Sequence, residues 1–98
     1  MSQCGVYQIL CAGNVRVYVG SSRNIKRRWS EHKRELLCER HHNQPLQNCF
    51  KKYGIDSIHL SVLEITSMDQ RLEREQFWMN KLSNTGRRLL NAATKADR

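Results

Sequence analysis

One carboxylate occupies a position where a purely structural glutamate would be costly. Four apolar residues in the C-terminal third of the chain recur at the spacing of one helix face: Met68, Leu72, Met79 and Leu82. Glu75 falls on the same face, and burying its charge costs free energy unless a cation satisfies it. The pattern leaves two readings open: a salt bridge to Arg71, one turn earlier, or a metal ligand at the edge of the core.

Two tyrosines on a predicted β-hairpin form a second candidate group. The loop has an even number of residues, so Tyr7 and Tyr18 are predicted to face the same side of the sheet. If residues 12–13 form the loop, the two tyrosines are direct cross-strand neighbours. Gly5 and Gly20 fall on the same side and leave open backbone beside the phenols. Packing is the ordinary reason for tyrosine in a strand; a pocket facing a basic helix is the alternative.

A third group lies on the helix predicted after the hairpin. Arg28 and His32 share one helix face, one turn apart, beside Trp29 on the core side. A guanidinium can hold a phosphate through two hydrogen bonds, which makes Arg28 a candidate phosphate contact. The ordinary reading is a solvated basic face, and the adjacent Arg27 is the alternative arginine.

The charge of the chain indicates a polyanionic partner. Seventeen Lys and Arg against nine Asp and Glu give a net charge of +8 and a pI near 9.8. The segment from Arg16 to Arg40 contains eight of these cations and three glutamates, so a quarter of the chain carries a net charge of +5. Such a cluster is typical of nucleic-acid binding, although a solvated helix face has the same composition.

The cysteines are predicted to be free thiols. No Cys-x-x-Cys pair is present, and the chain opens without a secretory signal that would favour disulfides. One zinc site was considered, formed by Cys38, His41, His42 and Cys49. Its spacing matches no common zinc finger, and Cys49 falls on an apolar helix stripe, so we disfavour it.

Periodicity and capping signals predict the element order ββααβα. The predicted strands are Gly5–Leu10, Val15–Gly20 and Ile58–Ile65, the first two joined by a turn at Cys11–Asn14. The predicted helices run from an Asn24 cap to about Cys38, from Pro45 to a stop at Gly54, and from a Ser67–Gln70 capping box to about Leu82. The predicted inner faces are Ile25, Trp29, Leu36 and Leu37 in the first helix, and Leu46, Cys49, Phe50 and Tyr53 in the second.

These elements predict a small α+β domain with a three-stranded, mainly antiparallel sheet flanked by helices. Hydrophobic residues make up 39% of the 98 residues and charged ones 27%, which excludes a disordered chain and favours a single domain over residues 1–98. The longest apolar run, Ile9–Ala12, is too short to cross a membrane. We therefore expect a cytoplasmic protein, nucleoid-associated if it is prokaryotic or from a phage, with no membrane partner.

Five ordered blocks of the sequence carry a family resemblance. They are Gly5-Val6-Tyr7 with Tyr18-Val19-Gly20-Ser21-Ser22; Asn24-Ile25-x-x-Arg28-Trp29-x-x-His32; His41-x-Asn43-x-x-Leu46-Gln47-x-x-Phe50-x-Lys52-Tyr53-Gly54; Glu75-Gln76-Phe77-Trp78; and Leu90-Asn91. Together they cover residues 5–91. In order and spacing they resemble the GIY-YIG nuclease family, with valine for isoleucine in both signature tripeptides. The similarity is nearest to the catalytic domains of phage and intron homing endonucleases.

The resemblance implies metal-dependent hydrolysis of DNA phosphodiester bonds. It assigns roles to seven residues: Tyr7 as general base, Tyr18 as a second tyrosine lining the site, Arg28 as the phosphate contact, His32 and His41 as phosphate contacts or proton shuttles, Glu75 as the metal ligand and Asn91 as an organising residue. We expect nucleic-acid contacts from Gly20, Ser21, Arg23, Lys26, Arg27 and Lys33. A single carboxylate favours one hard divalent cation, Mg²⁺ with Mn²⁺ as a substitute.

The expected partner is double-stranded DNA, and a separate DNA-binding domain is expected only in a longer parent chain. The alternative function is a catalytically silent DNA- or RNA-binding module that uses the basic helix face. Such a module would share the charge but would have no reason to keep Glu75 together with both tyrosines. No RNA-recognition motif is visible.

Overall fold

The computed structural model describes residues 3–13, 16–84 and 88–89 and forms an α+β fold. In chain order the elements are β1 (Gly5–Cys11), β2 (Arg16–Ser22), α1 (Ile25–Leu37), α2 (Gln44–Tyr53), a short 3-10 turn (Ile55–Ser57), β3 (Ile58–Ile65), α3 (Arg71–Asn84) and β4 (Arg88–Leu89). The strands form one sheet in the order β3-β1-β2-β4. The predicted fold class and the order ββααβα are confirmed, and β3 has the predicted bounds. Within the described ranges, none of the helices has the length and apolar content needed to cross a membrane.

Strand β1 lies at the centre of the sheet, antiparallel to both β2 and β3. In the hairpin, Tyr7 is paired with Gly20 and Tyr18 with Ile9. The two tyrosines therefore share a face of the sheet, as predicted. They are diagonal rather than direct neighbours, because four residues instead of two separate the end of β1 from the start of β2. β4 runs parallel to β2 and was not predicted, since a two-residue strand carries no alternation that a sequence could reveal.

The sheet has two buried faces, each covered by different helices. On one face, Tyr7, Ile9 and Tyr18 pack with buried residues of α1 and α2. On the other face, Val6 and Val19 pack against Met79 of α3. We call these the tyrosine face and the valine face. Because side chains alternate along a strand, neighbouring residues of β2 point towards different helices.

A β-bulge interrupts the pairing of β1 and β3 next to Tyr7. Val6 pairs with Glu64 while Tyr7 pairs with Val62, so Leu63 is the extra residue of β3. Bulges are common beside active sites because they bend a strand and re-aim its side chains. This bulge lies beside Tyr7, the first candidate tyrosine.

Helix α1 begins and ends where the capping signals predict. The Asn24 side chain accepts a hydrogen bond from the Arg27 N–H at the first turn, and Cys38 forms the C-terminal cap. Ile25 and Leu36 are buried as predicted. Leu37 is 64% exposed, so its assignment to the inner face is wrong. The apolar residues alone do not show which side of the last helical turn is buried, because the buried face of α1 includes the polar residue His32.

Helix α2 begins after Asn43, whose side-chain oxygen accepts a hydrogen bond from the Leu46 N–H at 2.9 Å. It ends at Gly54, whose φ of +88° is a conformation that favours glycine. The predicted stripe is correct at Leu46 and Cys49 and wrong at Tyr53, which is exposed. The Tyr53 ring instead covers the backbone of the hairpin turn, where a Cβ at Gly13 would overlap it.

Helix α3 begins four residues later than predicted. Backbone turns occupy residues 67–70, where the Gln70 N–H donates to the Ser67 carbonyl, so the predicted capping box does not start the helix. Met68 and Leu72 are consequently exposed rather than on the inner stripe. Glu75 is 2% exposed, which confirms its predicted place on the buried face.

Glu64 of β3 holds α3 against the sheet. Its Oε1 accepts hydrogen bonds from the Trp78 indole N–H at 2.9 Å and from the Arg74 guanidinium at 2.8 Å. The indole hydrogen bond, and after it the guanidinium, stabilise the carboxylate and lower the pKa of Glu64 below its ordinary range. This ion pair is the main polar link between β3 and α3 among the described residues.

A disulfide joins Cys11, at the end of β1, to Cys49 in the middle of α2. The prediction of free thiols is therefore wrong for these two residues, while Cys4 and Cys38 are free. The pairing excludes Cys49 from the zinc site considered above. Only the tertiary fold brings the two sulfur atoms together, because 38 positions separate them in the sequence.

Candidate functional site

Tyr7 lies at the centre of the candidate site and is held in a narrow space. Its side chain is 1% exposed, and its hydroxyl lies 2.7 Å from Nε2 of His32. The ring covers Gly20, where an added Cβ would lie 2.6 Å from the tyrosine oxygen. A glycine is therefore required at position 20 for Tyr7 to take this position. Gly20 is itself buried, and its role as a nucleic-acid contact stays a prediction.

The hydrogen bond to His32 is one end of a chain that leads away from Tyr7. Nδ1 of His32 lies 2.6 Å from Nε2 of His41, and both rings are buried. At the far end, Nδ1 of His41 accepts a hydrogen bond from the backbone N–H of Asn43 at 3.0 Å. A continuous series of contacts thus joins Tyr7 to His32 and His41, whose roles as phosphate contacts or proton shuttles stay predictions.

The backbone amide fixes the direction of this chain. An amide N–H can only donate, so Nδ1 of His41 must carry a lone pair, and in the neutral ring the proton sits on Nε2. That proton is donated to Nδ1 of His32, which places the His32 proton on its Nε2, facing Tyr7. When both imidazoles are neutral, the Nε2–H of His32 therefore donates a hydrogen bond to the phenol oxygen of Tyr7. A donor in this place stabilises the phenolate form of Tyr7.

Tyr18 has a separate histidine partner. Its hydroxyl lies 3.1 Å from Nε2 of His42, and the His42 ring is stacked on the His41 ring with centroids 4.6 Å apart. From its sequence alone, His42 is a candidate only for the disfavoured zinc site, although it lies beside His41, just before α2. The tyrosine face therefore holds a cluster of two phenols and three imidazoles.

Arg28 is mostly buried and Arg27 faces solvent, in agreement with the predicted helix phase. The side chain of Arg28 is 14% exposed, whereas that of Arg27 is 67% exposed. Nη1 of Arg28 lies 3.2 Å from Glu31 and 3.8 Å from Glu35. Within the described residues these ion pairs use Nη1 alone, so the Nε and Nη2 edge remains for a bidentate contact.

Glu75 is bonded to β2 from the side of α3. Its Oε1 accepts a hydrogen bond from the Ser21 hydroxyl at 2.5 Å, and the same hydroxyl oxygen accepts one from Nη1 of Arg71 at 3.1 Å. Ser21 therefore connects Glu75 with Arg71, the cation proposed in the salt-bridge reading. Ser21 was predicted as a nucleic-acid contact, and its hydroxyl also serves the buried carboxylate.

Tyr7 and Glu75 approach neighbouring residues of β2 from opposite faces. The Tyr7 ring lies on Gly20 at the tyrosine face, while Glu75 contacts Ser21 at the valine face. Among the described residues, β4 pairs with β2 only at the opposite end of the strand, so the end at Gly20 and Ser21 is an edge of the sheet. A phosphate placed at this edge can be reached from both sides.

Among the described residues, two sets of side chains offer metal donors, and they differ in chemistry. Glu75 with the Ser21 hydroxyl offers hard oxygen donors that fit a cation such as Mg²⁺ or Mn²⁺. His32, Glu35 and His41 have donor atoms within 4.8 Å of one another. The neutral histidine chain, however, places a proton on Nε2 of His41, so that atom has no lone pair for a metal. The donor chemistry therefore favours Glu75.

The other predicted residues divide between the surface and the undescribed part of the chain. Arg23, Lys26 and Arg27 are exposed near the start of α1, as a nucleic-acid contact requires. Lys33 lies over the Trp29 ring, 5.3 Å from its centroid. Asn91 lies outside the described residues.

The chain matches the GIY-YIG catalytic domain family over residues 3–88. It is 37% identical over 82 residues to intron-associated endonuclease 1 of enterobacteria phage T4, a match that covers 82% of this chain and 33% of the phage protein. The chain thus spans about a third of the length of that relative.

Two solved structures have the same fold. The catalytic domain of the homing endonuclease I-TevI superposes with a TM-score of 0.81 at 33% identity, covering 93% of this chain and 99% of that one. A mutant of the catalytic domain of intron endonuclease I-TevI gives the same TM-score and identity, covering 94% and 95%. Given the family match over residues 3–88 and this structural likeness, the chain belongs to the GIY-YIG catalytic domain family.

Proposed function

We propose that the chain is a divalent-metal-dependent endonuclease that hydrolyses DNA phosphodiester bonds by a one-metal mechanism. The observation that carries the proposal is the convergence on one end of β2 of a tyrosine with a polarised histidine chain and a buried carboxylate. Tyr7 reaches Gly20 from one face of the sheet and Glu75 reaches Ser21 from the other. Hydrolysis of a phosphodiester needs both a base for water and stabilisation of negative charge on the phosphoryl group.

Tyr7 is the proposed general base. A free tyrosine has a pKa of about 10, so the residue needs help to act as a base near neutral pH. In this structure the help comes from the His32 N–H, 2.7 Å from the phenol oxygen. Because the chain from Asn43 through His41 already places a proton on Nε2 of His32, the histidine supports the phenolate rather than taking its proton.

Arg28 is the proposed phosphate contact. Its Nε and Nη2 atoms form the edge that suits two parallel hydrogen bonds to phosphoryl oxygens. Glu31 and Glu35 hold the other nitrogen, Nη1, and so fix the orientation of the guanidinium before substrate binds. This orientation favours charge stabilisation in the transition state, because the group need not reorganise during the reaction.

Glu75 is the proposed metal ligand, and its burial orients the carboxylate. The Ser21 hydroxyl holds Oε1. A bound Mg²⁺ would supply Lewis-acid stabilisation of a phosphoryl oxygen. A single carboxylate suits this ion, which keeps several of its waters.

DNA is the proposed substrate for two reasons. The net charge of +8 and the exposed cations near the start of α1 suit a polyanion. The relatives with the same fold are named as an intron-associated endonuclease and a homing endonuclease. A silent binding module would use the same cations but would gain nothing from burying Glu75 against Ser21.

The test is an incubation of the purified protein with supercoiled plasmid, read on an agarose gel. We expect nicked or linear DNA with Mg²⁺ and intact supercoils with EDTA. A gel shift without cleavage at any Mg²⁺ or Mn²⁺ concentration would support the silent module instead. Cleavage of a structured RNA in a parallel lane, with the plasmid intact, would make the protein a ribonuclease.

A further inference from the structure

We propose that Gln47 is a positioning residue that sets the spacing and proton direction of the chain from His41 through His32 to Tyr7. The inference deepens the proposed function and rests on it for its consequence in cleavage. Its structural part, the tautomers of the two histidines, can be tested without any cleavage.

The Gln47 side chain uses both ends of its amide. It is 3% exposed, its Oε1 accepts a hydrogen bond from the His41 backbone N–H at 3.1 Å, and its Nε2 donates to the Leu36 carbonyl at 3.0 Å. Leu36 lies one turn after His32 on α1. Gln47 therefore links the end of the helix that carries His32 to the backbone of His41.

The first turn of α2 thus makes two contacts to His41. The Asn43 N–H donates to the ring at Nδ1, and Gln47 accepts from the backbone N–H of the same residue. The Asn43 side chain in turn caps α2, which holds both contacts in place. Without Gln47, the His41 backbone N–H would lose this acceptor, and the 2.6 Å distance between the imidazoles would lose one of the contacts that hold it.

A change in that distance would affect Tyr7. If His41 withdraws, Nδ1 of His32 loses its donor, and the tautomer with the proton on Nδ1 becomes accessible. In that tautomer Nε2 accepts the hydrogen bond from Tyr7, which favours the neutral phenol over the phenolate. Among the described residues, the other titratable and charged groups around these imidazoles are Tyr18 of β2, His42 before α2, and Glu35 and Arg28 of α1, while Glu75 of α3 lies on the opposite face of the sheet at Ser21.

The variant Gln47→Met conserves volume and length but cannot form either hydrogen bond. Its matched control is Gln44→Met on the same helix, an exposed glutamine whose side chain, within the described part of the chain, donates a hydrogen bond to the exposed Asn48 side chain. Both variants leave every titratable group in place, so the comparison isolates the buried amide. Gln47→Leu is a second variant, which also lacks both hydrogen bonds and adds no charge.

The first readout is the pH profile of the single-turnover cleavage rate at saturating DNA and Mg²⁺. We expect Gln47→Met to move the rising limb to higher pH, to slow cleavage at neutral pH by about tenfold, the effect of one lost hydrogen bond, and to approach the wild-type rate in alkali. Gln44→Met should match the wild type. A loss by the same factor at every pH would show a merely structural role and overturn the proposal, as would an unchanged profile.

The second readout is the imidazole tautomer, observed by ¹⁵N NMR of the labelled protein at neutral pH without DNA. We expect His41 and His32 to carry their protons on Nε2 in the wild type and in Gln44→Met. In Gln47→Met, His32 should become a mixture of tautomers. If Gln47→Met does not fold, Gln47→Leu should show the same mixture. Wild-type tautomers in a folded Gln47 variant would refute the inference even if cleavage is absent, whereas the expected tautomers in an inactive protein would refute only the proposed function.

Discussion

The polar side chains of the site are each oriented by a partner inside the protein. His41 is oriented by a backbone amide, His32 by His41, and Glu75 by the Ser21 hydroxyl. Buried polar groups are costly when unpaired, so such a network resists small displacements of its members. The position of Tyr7 is therefore set by a network of internal hydrogen bonds and not by one contact.

The two adjacent arginines are expected to differ in function. Arg28→Ala should slow single-turnover cleavage by about a hundredfold or more, because it removes a charge contact made in the transition state. Arg27→Ala should leave that rate nearly unchanged and weaken DNA binding slightly, since its side chain is two-thirds exposed. Single-turnover rates of both variants at saturating DNA provide the comparison. Equal losses, or a larger loss for Arg27, would show that the wrong arginine has been assigned to the phosphate.

The sequence predicts a site residue when the signal lies within one helix or strand. It does not predict a residue whose contacts join distant segments of the chain. Glu75 was predicted because a charged residue on an apolar stripe is visible along a single helix. No site role was predicted for Gln47, although this polar residue also lies on a partly apolar helix face, four residues after a helix cap and three before Phe50. Its partners, His41 and Leu36, belong to other segments, and no local pattern records such contacts.

At the level of the elements, local signals predicted boundaries well where a cap or an alternation was present. Asn24 and Gly54 mark helix ends, and the alternating run of β3 has the bounds that the sequence indicates. The start of α3 was wrong because Ser67 and Gln70 form backbone turns instead of a capping box. The Gln70 N–H donates to the Ser67 carbonyl, so the segment forms a turn where the local signal predicts a helix start.

The disulfide between β1 and α2 should contribute measurably to stability. Closing a loop of this length in the unfolded chain typically adds about 2–4 kcal/mol. We expect the urea midpoint of the oxidised protein to fall on addition of reductant, and a Cys4→Ser, Cys38→Ser variant to respond in the same way. Identical midpoints with and without reductant would mean that Cys11 and Cys49 are not bonded in solution.

The link between β3 and α3 should make stability depend on pH. The pKa of Glu64 is lowered by the hydrogen bonds from Trp78 and Arg74, so the folded state favours its ionised form. That contribution is present above the ordinary glutamate pKa and is lost as the pH falls through the lowered value in the folded state. Glu64→Gln should therefore be less stable than the wild type at pH 7, with the difference shrinking below about pH 4. Thermal melts across this range provide the test, and a constant difference would contradict it.

For the whole molecule, the small size and the positive charge suggest weak, charge-driven DNA binding. The sheet, its helices and the site occupy the described chain, and the exposed cations suit phosphates, which carry no direct sequence information. We expect a Kd on the order of micromolar or higher at physiological salt. The affinity should fall steeply as the salt concentration rises. Affinity for several unrelated duplexes across a salt series provides the measurement. Nanomolar, salt-insensitive binding to one long site would show that this chain reads sequence by itself.

The length of the relative gives a reason for this weak binding. The chain spans about a third of the phage endonuclease that it matches. We propose that long-site specificity, where a parent protein has it, comes from a separate DNA-binding domain. Preference within this chain would be limited to a few base pairs around the scissile bond, partly through duplex deformability.

The most direct test of the account compares Glu75→Gln with the wild type in cleavage and binding on the same duplex. Glutamine keeps the shape and the acceptor for Ser21 but removes the charge that would hold Mg²⁺. We predict that Mg²⁺-dependent cleavage is lost while the Kd for DNA, measured in Ca²⁺ or without metal, changes by less than about threefold, because affinity comes mainly from the cations. Substantial Mg²⁺-dependent cleavage by Glu75→Gln would remove Glu75 from the metal site and contradict the proposed mechanism.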